Sequence, residues 1–254
     1  MSVSSPVLLA LDTATDQIHA ALVTPEATRV RQLPGGAQAS TALLPALQAL
    51  LAEARRPWRD VQAIAFGAGP GAFTGLRTAC SVTQGLALGL GCPVIVLDTL
   101  KAVAEDARLR DPAAFPEGAH LWVLQDARMG ELYVAALTWA GGEWQTVTAP
   151  ALWPVQEPAR RWADGGPESG VALRLAGNAL RACAEALSPV LNRAAGCLLA
   201  DAEACPSGAA LAALATRAWV RGDVGDVAHA LPTYVRDKVA QTTAERTAVA
   251  RGER

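Results

Sequence analysis

Apolar residues follow two rhythms along this chain. Residues 7–11, Val-Leu-Leu-Ala-Leu, are continuously apolar, the mark of a short strand buried on both faces. The polar cluster Asp12-Thr13-Ala14-Thr15-Asp16 ends it, and 18–24 and 28–33 resume with mixed or alternating polarity, which predicts a hairpin and a third strand. Pro34-Gly35-Gly36 closes that unit. The rhythm then lengthens. Leu43, Leu47, Leu50 and Leu51 recur at helical spacing, which predicts a helix beginning at Ser40 or Thr41, with Pro45 in its tolerant early part. Residues 63–67 predict a strand, 74–90 a long helix, 93–98 a buried strand of parallel type, and 100–108 another helix.

Turn formers fill 111–118 and mark a domain boundary. Beyond them 121–125, 131–139 and 143–147 predict strands, the last two joined by a tight turn at Gly141-Gly142. Residues 154–167 read as irregular, 171–176 as a strand ending at Gly177-Asn178, and 179–187 and 207–221 as helices. Residues 232–235 and the charged stretch after them read as loop and partly disordered tail. No close sequence repeat is visible. The expected division is 1–108, 109–225 and a tail, 226–254. Hairpins followed by strand–helix alternation predict two α/β domains of ribonuclease H-like, actin-like layout.

Composition sharpens this. The 254 residues are 51% hydrophobic and 18% charged, enough for a substantial core. The mean hydropathy of +0.20 comes largely from alanine, and no apolar run reaches the roughly 18 residues of a membrane span. The first residues carry no basic stretch, apolar run and cleavage site, so a cytoplasmic protein is expected. A net charge of −2 gives no general attraction to nucleic acid. Any contact with a nucleic acid is therefore expected to be indirect, through a partner. Cys80, Cys92, Cys183, Cys197 and Cys205 are odd in number and form no CxxC pair, which points to free thiols and away from disulfides or a zinc site.

Three clusters could carry chemistry. Asp12 and Thr13 follow a buried strand, where a short turn can offer hydroxyls and N–H groups to a phosphate or simply link two strands. The segment Gly67 to Arg77 is strand, glycine-rich turn and helix start, the recipe for anion binding, with Gly69, Gly71, Thr74 and Gly75 as its candidate phosphate contacts. It is neither a Walker A loop nor a complete GxGxxG, and Pro70 removes one donor. Its plain alternative is a tight turn packing a helix against a sheet. Asp126, Arg128 and Glu131 read mainly as a turn-stabilising cluster. His19, His120 and His229 form no HExxH pair, and no GxSxG occurs, so neither a metallopeptidase nor a serine hydrolase is indicated. The helix over 74–90 carries the stripe Leu76, Ala79, Cys80, Thr83, Ala87 and Leu90, with Val82, Leu86 and Leu88 on its other sides. A helix apolar on most sides needs several partners, and burial within the fold or an intermolecular interface would each supply them.

Taken together, Leu9-Ala10-Leu11-Asp12-Thr13, Leu43-Leu44-Pro45, Gly69-Pro70-Gly71-Ala72-Phe73-Thr74-Gly75-Leu76-Arg77, Gln84-Gly85-Leu86-Ala87, Asp126 to Tyr133 and Pro232 to Ala240 resemble the TsaB (YeaZ) family, over about 7–245. The resemblance implies an actin-like fold and a non-catalytic subunit of the bacterial tRNA threonylcarbamoyladenosine machinery. It further implies a heterodimer with the transferase TsaD, TsaE in a larger complex, and a homodimer when alone. It needs no cofactor and no metal. Family interfaces use the two N-terminal helices, which assigns Leu43, Leu47, Leu50, Leu76, Ala79, Cys80, Thr83 and Ala87 to the partner face. Many relatives carry His-Ser where this chain has Ala39-Ser40, and serine where it has Ala72. Both departures weaken the expectation of nucleotide binding. An actin-like ATPase acting on its own is the competing expectation.

Overall fold

Three antiparallel strands and two strand–helix units are laid down twice along the chain. In a computed structural model that describes residues 6–162, 173–192 and 197–236, β1 (Leu8–Asp12), β2 (Gln17–Val23) and β3 (Thr28–Pro34) are followed by α1 (Ala39–Glu53), β4 (Ala63–Gly67), α2 (Phe73–Leu90), β5 (Val94–Leu97) and α3 (Thr99–Arg110). The second pass runs β6 (His120–Arg128), β7 (Glu131–Ala140), β8 (Glu143–Pro154), α4 (Glu157–Arg161), β9 (Leu173–Ala176), α5 (Ala179–Ala182), α6 (Ala184–Leu191), β10 (Cys197–Asp201) and α7 (Gly208–Arg221). The sheets have orders β3-β2-β1-β4-β5 and β8-β7-β6-β9-β10, with β1 parallel to β4 and β6 parallel to β9. This is the duplicated ribonuclease H-like topology of actin-like proteins. The repeat lies in the topology and leaves no trace in the sequence.

Period-two burial explains the layering. Leu9 and Leu11 of β1 face α1 and α2, alongside Ile18, Leu22, Ile64 and Phe66. Leu8 and Ala10 face the other way, against Leu211, Ala212 and Ala215 of α7. Helix α7 therefore covers the first sheet, although its place in the chain suggested the second half. Helix α3 makes the reverse exchange, packing Leu100, Val103, Ala104 and Ala107 against Leu121, Val123, Tyr133 and Trp144. The two crossing helices meet at Glu105, whose carboxylate is fully buried. It accepts bonds from Arg108 at 2.8 Å, Arg217 at 3.1 Å and the Trp144 indole at 3.1 Å. Burial alone would raise its pKa, but the two guanidiniums outweigh it and hold the carboxyl below its usual range.

Several boundaries differ from expectation. β8 runs on to Pro154 through a register shift opposite Val134–Leu137, because an edge strand tolerates Pro150. Helix α4 lies in the stretch read as irregular. The helix expected over 179–187 breaks at Cys183 and resumes to Leu191. β10 was not anticipated. Asp98 ends no strand; it caps α3 by accepting from the Leu100 and Lys101 N–H groups. The start of the strand expected at 171, the tail from 237 on, and the Cys197 thiol lie outside the described residues. Among the described residues no helix is long and apolar enough to cross a membrane.

Candidate functional site

Parallel strands end together, and ligands of open α/β sheets sit beyond their carboxyl ends. Here the β1–β2 turn, the loop after β4, the β6–β7 turn and Gly177-Asn178 after β9 meet at a cleft between the two sheets. One chamber of about 300 Å³ is lined by Gly71, Phe73, Gln125, Tyr133, Tyr234 and Arg236, among others. An adjoining chamber of about 270 Å³ includes Gln17, His19, Gln32, Asn178 and Arg181 in its lining.

The proposed phosphate contacts are brought together, and several of their polar groups are bonded within the chain itself. Asp12 is fully buried. One carboxylate oxygen accepts from the Ala14 N–H at 2.6 Å and the other from the Thr99 hydroxyl at 2.8 Å. The Thr13 hydroxyl donates to the Gly75 carbonyl at 2.6 Å, and the Ala72 N–H donates to the Ala14 carbonyl at 2.7 Å. A Cβ at Gly67 would stand 1.7 Å from the Asp12 carboxylate, one at Gly75 1.8 Å from the Thr13 carbonyl, and one at Gly71 2.4 Å from the Ala14 Cβ. These three glycines let the loop and the β1–β2 turn press together. Gly69 takes φ +118°, and its Cβ position lies 2.7 Å from the Thr233 carbonyl. The Thr74 side chain is exposed, and its carbonyl serves Thr78 within the helix.

Residues 230–236, expected as loop and tail, pack against the glycine loop and α2. Buried Ala230 accepts from Gln84 at 2.8 Å and from the Cys80 thiol at 3.0 Å. The Thr233 N–H donates to the Ala68 carbonyl at 2.7 Å. Tyr234 lies 4.8 Å from Phe73, and Arg77 sits 3.9 Å over the Phe73 ring. Arg236 donates to the Ala127 carbonyl and pairs with Glu131. Tyr133 reaches the Gly71 carbonyl at 3.3 Å. Asp126 accepts from the Arg128 N–H at 2.8 Å and pairs with its guanidinium at 3.1 Å, while Arg128, Met129 and Gly130 take positive φ. That cluster is a turn brace. Among the described residues no three His, Cys, Asp or Glu side chains gather as a metal ion would require.

The eight residues assigned to the partner face all point inward. Leu43, Leu47, Leu50, Ala79 and Thr83 are fully buried, and Leu76, Cys80 and Ala87 nearly so. They are the core-facing side of α1 and α2, because the widest apolar stripe of a helix goes to the largest apolar surface nearby, the sheet. The outer side is different in kind: Ser81, Gly85 and Gly89 at four-residue spacing on α2, with exposed Leu88, and Thr41, Leu44, Pro45 and Gln48 on α1. The four-residue spacing was the signal that could have revealed it.

Asp12 and His19 are register partners across β1 and β2, and their titrations oppose each other. Burial raises the Asp12 pKa to about 6 against the pull of its Ala14 and Thr99 bonds. Burial lowers that of His19 to about 4 against the attraction of Asp16. Between pH 4 and 6 the folded state holds a proton on Asp12 that the unfolded chain has lost, so this group costs stability as pH rises. His19 lacks a proton that the unfolded chain holds, so over pH 4 to 6.5 it adds stability as pH rises. Each is worth about 3 kcal/mol at most. Relative to the wild type, Asp12→Asn is expected to tilt the stability profile upward with pH over this window, and His19→Gln to tilt it downward. Urea melts at pH 4, 5, 6 and 7 check this; parallel profiles for all three proteins would contradict the burial of either group.

The family model for TsaD, tRNA N6-adenosine threonylcarbamoyltransferase, matches residues 34–250. The tRNA threonylcarbamoyladenosine biosynthesis protein TsaB of Escherichia coli is 30% identical over 251 residues, covering 92% of this chain and 96% of that protein. The Haemophilus influenzae protein of the same name is 37% identical over 129 residues, half of this chain and 51% of its own length. The solved structure of YeaZ from Pseudomonas aeruginosa superposes with a TM-score of 0.74 at 31% identity, covering 90% of this chain and 99% of that one. With the fold duplicated as described and the Escherichia coli and Pseudomonas aeruginosa matches spanning at least 90% of its length, the chain belongs to the TsaB, or YeaZ, branch of the threonylcarbamoyltransferase family.

Proposed function

We propose that this chain is the scaffold subunit of tRNA threonylcarbamoyladenosine biosynthesis, a cytoplasmic protein that pairs with a TsaD-type transferase and supplies no catalytic side chain. The observation that carries the pairing is the outer side of α2. Glycine inside a helix costs about 1 kcal/mol relative to alanine, and a Cβ at Gly85 or Gly89 would meet nothing within 4 Å. The fold of this chain therefore does not require glycine there. Close approach of a helix from another subunit does, since small residues let two helix axes draw together. The same face would serve a homodimer when the chain is alone, and TsaE would join the heterodimer as a further component. Transfer of the threonylcarbamoyl group, and contact with tRNA, fall to the partner.

Against an actin-like ATPase acting alone stands the engagement of both Asp12 oxygens within the chain, with Gly67 pressed against Asp12 and Gly71 and Gly75 against the β1–β2 turn. Reconstitution of the modification with purified TsaD-type and TsaE-type proteins tests the scaffold reading. Omitting this chain is expected to lower the rate at least tenfold, about 1.4 kcal/mol in the barrier. An unchanged rate in its absence would remove the proposal.

A further inference from the structure

The smaller chamber, between the β1–β2 and β6–β7 turns, holds two buried polar side chains whose side-chain nitrogens are without partners among the described residues. Both ring nitrogens of His19, which is 1% exposed, and Nε2 of Gln125, which is 5% exposed, make no hydrogen bond among the described residues. Both side chains line the 270 Å³ chamber, a volume near the lower end of small-molecule pockets at roughly 300 Å³. Two strands from different halves place them: β2 presents His19 on the side of the sheet opposite Ile18 and α1, and β6 carries Gln125 three residues before its end. Buried polar groups are paired in nearly all folded proteins, and each orphan is destabilising. Two orphans in one chamber call for an occupant.

The orphans define its chemistry. A neutral imidazole offers one N–H and one lone pair, and the Gln125 amide nitrogen offers N–H groups. A phosphate or carboxylate would satisfy the donors and leave the imidazole lone pair unmet. A cation would do the opposite. A hydroxyl both donates and accepts, and two adjacent hydroxyls could serve both side chains. The charges in the walls are already spent on each other: Arg181 pairs with Glu203 at 2.5 Å and Arg128 with Asp126 at 3.1 Å. Among the described residues, both guanidiniums that line this chamber are paired. Burial keeps His19 neutral at physiological pH, which again favours an uncharged guest.

We propose that this chamber binds an uncharged vicinal diol, the chemistry shared by a free sugar and by the ribose of a nucleoside. The proposal stands apart from the pairing of α2 and survives or fails without it.

The test is titration of the full chain, labelled with 15N-histidine, with D-ribose, D-glucose, adenosine and adenosine monophosphate, following the ring nitrogens by NMR. The chain has three histidines, and a His19→Gln variant assigns the signal. The His19 nitrogens are expected to move saturably, with a Kd below about 1 mM, while those of His120, whose Nδ1 already meets the Thr138 hydroxyl at 2.9 Å, stay in place. Movement with ribose or glucose identifies a free sugar as sufficient; movement with adenosine alone identifies a nucleoside. Gln125→Leu is expected to weaken binding at least tenfold, with circular dichroism confirming that the variant folds. No movement with any of the four up to about 10 mM overturns the proposal. Tenfold tighter binding of the monophosphate than of adenosine overturns its uncharged character, and unchanged affinity in Gln125→Leu overturns the site.

Discussion

Gly85→Arg is expected to abolish pairing with the TsaD-type subunit while leaving this chain folded and slightly more stable. The two effects have separate causes. In the free chain the new side chain projects into open space, since a Cβ at position 85 meets nothing within 4 Å. Replacing glycine in a helix interior by arginine gains about 0.8 kcal/mol of helix propensity, which in a chain of this size raises Tm by roughly 2–3 °C. In the complex the same side chain stands where a second helix must approach, so Kd is expected to rise at least about 100-fold, near 3 kcal/mol. Thermal melting with gel filtration or calorimetry against the partner reads both quantities. A heterodimer of unchanged affinity would move the interface away from Ser81, Gly85 and Gly89. Substitutions such as Leu76→Glu cannot ask this question, because Leu76 is 1% exposed in the core and a buried unpaired charge disrupts the fold before any partner is involved.

The contrast between Leu76 and Gly85 shows what periodicity can and cannot report. A 3.6-residue apolar repeat marks the side of a helix that leaves water, and in α1 and α2 that side meets the sheet. The exposed side signals itself by small residues, which a hydrophobic pattern reads as nothing. β1, α2 and α7 were legible because each has an apolar run or repeat long enough to outweigh its neighbours. β10 was not, because its five residues follow an alanine-rich stretch of no clear period. The exchange of α3 and α7 between the sheets was also hidden. It depends on which apolar faces meet across a hundred residues, and chain order suggests the opposite.

The site was legible in place and misleading in chemistry. Asp12, Thr13 and the glycine loop do converge, as a strand–turn–helix pattern implies. Spacing carries no distances, however, and the same glycines that could admit a phosphate here admit the β1–β2 turn. His19 and Gln125 passed as ordinary strand residues, because a single polar position in a strand is the usual sign of a solvent-facing side. Their burial arises from the second half of the chain closing over the first, a tertiary event that no local window contains.

The clearest measure of that closure is Gly75→Ala, for which a large loss of stability is expected. The substitution should help by local rules, since alanine in α2 is favoured over glycine by about 1 kcal/mol. Tertiary contact reverses the sign. The new Cβ would lie 1.8 Å from the Thr13 carbonyl oxygen and 2.9 Å from its carbon, and backbone on a central turn cannot rotate aside as a side chain can. Relief requires α2 to withdraw from the turn, which breaks the 2.6 Å bond from Thr13 to the Gly75 carbonyl and the 2.7 Å bond from Ala72 to Ala14. Overpacking of this severity is expected to cost about 4 kcal/mol or more, a fall in Tm of at least roughly 10 °C. Gly85→Ala is the matched control: the same exchange, ten residues along the same helix, with a rise of about 2–4 °C expected. Calorimetric melts of the two variants beside the wild type decide it. A Gly75→Ala protein melting within about 2 °C of the wild type would mean that the turn and helix do not press together, and that the loop has room for a ligand after all.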